Sequence, residues 1–544
     1  MTSYFSGNIV DVINGEIFPG TIRVENNKIT RISKDDAKYD QFILPGFIDA
    51  HVHIESSMLT PSEFARVAVS HGTVATVSDA HEIANVSGIE GVRYMQRNGR
   101  TTPFKFYFSA PSCVPATGFE SSGATLGPDD LALLMEDPEI KYLGEMMNFP
   151  GVIFNDPEVV KKMEIALQMG KKIDGHAPGL RGDDLKKYIG SGITTDHECF
   201  TIAEALEKIS SGMKIQIREG SAVRNFDELI PLAEEFWAMC MFCSDDKHPD
   251  ELVSGHINEL VKRAVNLGID IFKVLRIACI NPILHYGLET GMLREGDSAD
   301  FIMVENLEDF TIRKTVIGGE TLFDEGKILI PYVRPEKINY FNVSRKTPAD
   351  FAIKSEHSKV NIIEVIDHQL ITGWGISDVL LKNGYLEADT EKDLLKIAVI
   401  NRYDDLPPAI GFIKHFGLKK GAIASSVAHD SHNIIVVGTN DADMCKAVNL
   451  VVSEKGGISA VCNNAGIEEI LPLPVAGLMS DREYDWVAKQ YAQLDQLAKS
   501  FGSGLSAPFM TLSFMGLLVI PELKLSDKGL FDGKAFRLIG LQAI

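Results

Sequence analysis

The chain has 544 residues, 45% of them hydrophobic, which is too long for one core and predicts about three domains. Its formal net charge of -22, from 75 acidic against 53 basic residues, argues against nucleic acid or an anionic membrane as partner and fits a neutral small molecule. Seven cysteines, an odd number spread along the chain, give no disulfide framework and predict a reducing, cytoplasmic setting. No basic segment followed by an apolar one opens the sequence, and the uncharged run Met510 to Pro521 is too short to span a bilayer.

In chain order, residues 1 to 45 read as short strands with hairpin signals at Asp11 to Ile17 and Val24 to Ile29. Eight apolar runs then read as buried parallel strands: Phe42 to Ile48, Val74 to Ser78, Phe104 to Ser109, Ile140 to Gly144, Lys172 to Asp174, Ile193 to Thr195, Lys214 to Ile217 and Ala238 to Phe242. Helix punctuation lies between them. Thr60-Pro61-Ser62-Glu63 reads as a capping box with Gly72 as the stop, and Asp156-Pro157 opens a helix that Gly170 closes. Eight strands in about 200 residues with helices between them predict an α/β fold, a (β/α)8 barrel over 46–290, with its active site at the C-terminal ends of the strands. The stretch Gly291 to Val304 and the segment Val316 to Gly319 read as strands able to join the N-terminal ones, giving a discontinuous small β domain of 1–45 plus 291–345. After a linker at Pro331 to Pro335, residues 346–544 predict a C-terminal α/β domain, with strands at Ala422 to Ser425 and Asn433 to Val437 and a helix at Ala442 to Glu454.

The strand ends carry the chemistry. His51 and His53 stand two apart at the end of the first strand and so face one side. Later ends supply Glu145, His176, His197, and Asp245 with Asp246. Any one of these histidines alone would be a satisfied core or surface residue, but four histidines and two carboxylates at one barrel mouth can hold two divalent metals with a carboxylate and a hydroxide between them. Asp49 shares the parity of the two histidines one step deeper, which predicts a structural hydrogen-bonding role.

The Asp-x-His-x-His strand end, His176, His197 and the closing Asp245 resemble the amidohydrolase superfamily over roughly residues 1 to 345. Within it, Leu143 to Gly151, Cys243-Ser244-Asp245-Asp246 and Ser426 to Asn433 look like the adenine deaminase family, so the resemblance covers nearly the whole chain. Many two-metal relatives carry a carboxylated lysine where this chain has Glu145, which argues for the deaminase branch. The resemblance implies hydrolytic deamination of adenine to hypoxanthine and ammonia in purine salvage, two divalent ions per chain (Mn, Fe or Zn), and a cytoplasmic homodimer. It also implies Glu145 as the bridge, His51 and His53 on one ion, His176 and His197 on the other, and Asp245 beside the hydroxide as proton shuttle. Asp246 competes for part of that role, although strand alternation points it to the other side. A second reading is another binuclear hydrolase acting on a cyclic amide or a different nucleobase. A third is a metal-free interaction scaffold, against which all six ligands stand.

Other groups are candidates for touching substrate or orienting a ligand. His81 and Glu82 follow strand two, Arg218 and Glu219 follow strand seven, and His429, Asp430 and His432 lie in the C-terminal region, where the family match suggests a lid or substrate role. Cys240-Met241-Phe242-Cys243 has metal-like spacing but no second pair, and positions three apart on a strand face opposite sides, so it reads as strand core. The His-x-Glu and Pro-Cys-x-x-Cys pattern of zinc base deaminases is unmet.

Overall fold

A computed structural model describes residues 2–543. Eight parallel strands form the ring that positions the site: Phe47–Val52, Thr73–Ser78, Lys105–Ala110, Ile140–Met146 and Lys172–Gly175 in one sheet, then Thr195–Asp196, Lys214–Arg218 and Cys240–Cys243 in another. Bridges between Ile173 and Ile193 and between Val52 and Asp245 join the two sheets on both sides and close the ring. These strands are almost wholly buried on both faces, as strands covered by crossover helices must be.

The first apolar run is two strands. Phe42–Pro45 pairs with Thr2–Asp11 and Phe301–Val304, and only Phe47–Val52 enters the barrel. The break falls at Gly46, where a Cβ would stand 2.2 Å from a Val74 methyl, so only glycine lets the chain pass from one sheet to the other. The strands at 193–196 and 238–243 begin two residues later than the apolar runs suggest. Trp237–Met239 is a short 3-10 turn, and Ile193 makes only a bridge.

Helix Pro61–Ser70 begins where its proline predicts, but the capping box does not form. The Ser62 N–H donates to Asn98 Oδ1, and Glu63 pairs with Arg66 and accepts from the Tyr484 N–H. Tertiary partners have replaced the local cap. Asp156 does cap its helix, accepting from the Glu158 and Val159 N–H groups.

Strands from both sides of the barrel sequence share one sheet, in the order Lys327–Ile328, Glu320–Asp324, Ile312–Ile317, Phe301–Val304, Phe42–Pro45, Thr2–Asp11, Glu16–Glu25, Lys28–Lys34. A second eight-stranded sheet lies in the C-terminal third and includes Ala422–Ser425 and Ile434–Gly438, with helix Asp441–Glu454 packed on it. Asn440 caps that helix at the Asp443 N–H, and Lys455 ends it with a left-handed φ of 57°. Helices Tyr484–Ser500 and Pro508–Phe514 carry this region against the barrel, the first packing on helices Pro61–Ser70 and Pro249–Ser254. Among the described residues no helix is long and apolar enough to cross a membrane.

Candidate metal and substrate site

Asp49 ties the first and last barrel strands together. It is fully buried, accepts from the Ser244 N–H (3.0 Å) and hydroxyl, and lies 2.8 Å from His256 Nε2. His51 and His53 follow on the same face. His53 Nδ1 lies 3.1 Å from the Asp79 carbonyl, which only accepts, so that nitrogen carries the proton. In the neutral ring Nε2 is then a bare lone pair. It faces His51 Nε2, Glu145 Oε1 and Asp245 Oδ1, each at 3.2 Å.

Glu145 is held from behind by Asp79, whose carboxylate accepts the Glu145 N–H at 2.8 Å and the Ser109 hydroxyl at 2.8 Å. The preceding Gly144 is required, since a Cβ there would lie 2.2 Å from Asp79 Oδ2. While Oε1 of Glu145 faces His53, Oε2 lies 2.7 Å from His176 Nδ1 and 3.1 Å from His197 Nε2. The His51 and His197 rings stack at 4.2 Å.

Lone pairs of imidazoles and carboxylates that converge in a buried site are favourable only about a cation, so the chemistry of this donor set fits cations. The titration behaviour says the same. Burial lowers the His53 and His197 imidazoles, yet the Asp245 and Glu145 carboxylates outweigh it, holding His53 well above its ordinary value and His197 at about 9. Burial likewise raises Glu145 and Asp245, yet His176 on the first and Arg218 on the second hold both well below the carboxylate range. Buried ring nitrogens on His51 (Nδ1), His176 (Nε2) and His197 (Nδ1) also lack partners. Four imidazoles and two carboxylates, all buried, fit divalent metal ions.

Asp245 departs from strand geometry. Its φ is +55°, its N–H donates to the His51 carbonyl (2.9 Å) and its carbonyl accepts from the His53 N–H (3.2 Å). The left-handed residue breaks the alternation, so Asp246 lines the same cavity as Asp245, its carboxylate accepting from the Ser56 hydroxyl. This corrects the expectation that the two aspartates face opposite sides. Arg218 lies fully buried with its guanidinium on Glu198 (2.5 and 3.1 Å) and on Asp245 Oδ2. Glu219 does not reach the cavity. Its carboxylate turns outward to Arg263, at 2.8 Å, and Arg224.

The sequence pattern of the amidohydrolase family matches residues 42–322, and that of the adenine deaminase C-terminal domain matches residues 369–537. The adenine deaminase of Sulfurovum sp. is 57% identical over 534 residues, 98% of each chain. Those of Salinibacter ruber and Methanosarcina mazei are 52% and 51% identical, covering 98% and 99% of each chain. The chain belongs to the adenine deaminase family.

In this adenine deaminase family member the C-terminal region reaches into the barrel mouth. His81 and Glu82 open helix His81–Gly99, where an acidic side chain also favours the helix dipole. Glu82 Oε1 lies 2.6 Å from His429 Nδ1, and Oε2 meets His432 Nε2. His81 Nδ1 stands 3.6 Å from both Asp79 and Glu145. Burial lowers both C-terminal imidazoles, but Glu82 and Asp246 raise His429 to about 9, whereas burial prevails at His432 and leaves it at about 4. Phe514 stacks on His429 at 4.9 Å, and with Leu370, Met510 and Leu517 it lines the cavity alongside the candidate ligands.

Of the residues read from the sequence, all six ligand candidates together with His81, Glu82, Arg218, Asp246 and His429 meet at one cavity or its lining, and His432 braces it through Glu82. Glu198, Asp79 and the apolar cover escaped sequence reasoning. Glu198 directly follows a ligand and was legible as a further acid at a strand end. Leu370, Met510, Phe514 and Leu517 carry no local signal that separates a lid from a core.

Proposed function

We propose that this chain hydrolyses adenine to hypoxanthine and ammonia, in purine salvage, at two divalent cations held by His51, His53, Glu145, His176, His197 and Asp245. The observation that carries the binuclear reading is the division of Glu145, with one oxygen toward His53 and the other toward His176 and His197. That is the disposition of a carboxylate shared by two ions. Such cations lower the pKa of bound water and so supply a nucleophile near neutral pH. The overall balance is simple. Water adds its oxygen at C6, one of its protons goes to the amino group, which leaves as ammonia, and the other goes to the adjacent ring nitrogen, so that the ring keeps a carbonyl.

Asp245 is placed to take the proton from the attacking water and return it to the departing nitrogen. Arg218 orients that carboxylate and keeps it ionised, and Glu198 holds Arg218 in turn. The Glu82, His429 and Phe514 wall excludes water from the reacting ring. In the same reading the chain divides at about residues 45, 290 and 345 into a split β domain, the barrel and the C-terminal domain. The test is ammonia release by metal-supplemented protein from adenine, adenosine, cytosine and guanine, with a ring-opening assay on cyclic amides alongside. Ammonia from adenine is the expected result. Ring opening without ammonia would replace the reading with the cyclic-amide one.

A further inference from the structure

One buried carboxylate in the cavity has no assigned work. Asp430 is 3% exposed, lines the cavity, and leaves its Oδ2 without a hydrogen-bond partner. Its nearest charged neighbours are His81 Nε2 at 3.9 Å and His429 Nδ1 at 4.0 Å, both beyond hydrogen-bonding distance from Oδ1. An orphaned buried acceptor is costly, and in a cavity it marks where a ligand donor belongs.

The position narrows the donor. The His81 ring stands between Asp430 and the bridging carboxylate, with Nε2 toward Asp430 and Nδ1 3.6 Å from Glu145 Oε1. Measured across that ring, Asp430 stands no farther from Glu145 than one imidazole and its two contacts, and all three line the same cavity, so a bicyclic base beside the His81 ring with its six-membered ring at the candidate ligands can present its five-membered ring to Asp430. Phe514, which stacks on the neighbouring His429, and the apolar Leu370 and Leu517 line the same cavity. A free purine base carries one N–H on its five-membered ring. A nucleoside has a sugar in place of that hydrogen.

We propose that Asp430 accepts the five-membered-ring N–H of the free purine base and is the residue that makes the site choose the base over its nucleoside. The inference rests on the adenine reading above. A site built to pair a donor rejects a ligand lacking it, because the acceptor is then buried unpaired. The residue comes from the C-terminal domain, so the specificity of the barrel is set by a part of the chain outside it. Asp430 acts on binding and not on the metals.

The experiment measures inhibition constants of purine and 9-methylpurine, neither of which can be deaminated, on wild type, Asp430→Asn and Asp430→Ala, with metal content and adenine kinetics recorded for each. Wild type is expected to bind purine at least about 10-fold more tightly than 9-methylpurine. Asp430→Ala should weaken purine by about 10- to 100-fold, the range for a hydrogen bond to a charged group, and leave 9-methylpurine within about 2-fold. Asp430→Asn, which keeps an acceptor oxygen, should fall between. For adenine, KM should rise more than kcat falls, with metals retained. Equal binding of the two purines by wild type overturns the proposal even if neither variant folds, as does a parallel loss for both ligands in the variants. Failure of wild type to release ammonia from adenine, in contrast, would overturn the functional reading itself.

Discussion

The two walls of the cavity are built by different rules. On the barrel side, His51, His53, Glu145, His176, His197 and Asp245 stand at the ends of strands whose spacing repeats, and the backbone alone delivers them to one mouth. On the opposite side, His429, Asp430, Met510 and Phe514 come from a loop and a short helix far away in sequence, brought there by contacts such as the packing of helix Tyr484–Ser500 on the barrel helices and the Asn433 to Ser121 hydrogen bond. The two walls meet at Glu82, a barrel residue held by two C-terminal histidines. The proposed function assigns chemistry to the periodic wall and fit to the docked one. Variants should separate the two.

The largest effect is expected at Glu145. Glu145→Gln keeps the volume but removes the charge that two cations share, so one ion should be lost and turnover should fall beyond the about 10² to 10⁴ that an acid–base group alone contributes. Elemental analysis with an ammonia assay reads both. Two ions retained at near-normal turnover would move the bridge elsewhere and undo the division between the walls.

Asp245 against Asp246 sharpens the barrel side. At matched metal occupancy, Asp245→Asn should cost about 10² to 10⁴ in kcat, and Asp246→Asn less, since Asp246 faces the cavity from the Ser56 hydroxyl and has no arginine to hold it ionised. Burial and the neighbouring Asp245 raise the Asp246 carboxyl, the reverse of Asp245 itself. If Asp246→Asn were dead with metals bound and Asp245→Asn close to wild type, the shuttle would change hands.

These outcomes bear on what could be read beforehand. The barrel, the convergence of the strand-end histidines and carboxylates, and the shared β-sheet are legible because period-two alternation and strand-helix spacing are local and recur along the chain. Two errors came from the same rule. Gly46 divides one apolar run between two sheets, and the left-handed Asp245 turns Asp246 into the cavity, and neither event has a period. The failed cap at Thr60 is of another kind, since Asn98 and Tyr484 supply contacts that no local window contains. The family resemblance flagged His429 and His432 as a lid or substrate group, but not which carboxylate they would grip.

The docked wall is tested by His432→Ala and His429→Ala. Removing either should lower turnover by about 10- to 100-fold, the usual cost of losing an outer partner, with metal content unchanged, because neither ring touches a ligand-set carboxylate. Unchanged kinetics in both would reduce the segment to an ordinary loop.

The smallest and most specific effect is on pH. His429 is raised to about 9 in the folded protein against an ordinary 6.5, despite burial, because Glu82 and Asp246 face it, with Asp430 and the His432 ring also in contact range. A histidine whose folded value lies above its unfolded one contributes stability fully below about 6.5 and loses it as pH rises through about 9. Glu82, held low, contributes in the opposite range and is constant across this window. The attachment of the segment Ser426 to Asn433 to the barrel should therefore weaken between about pH 6.5 and 9, by at most on the order of 3 kcal/mol. Amide exchange in that segment, corrected for intrinsic rates, measures its local opening. Wild type should be better protected than His429→Gln at pH 6.5 and converge with it above 9. A gap that stays constant over the whole range would mean that Glu82 holds His429 by geometry alone, and the junction between the two walls would carry no charge.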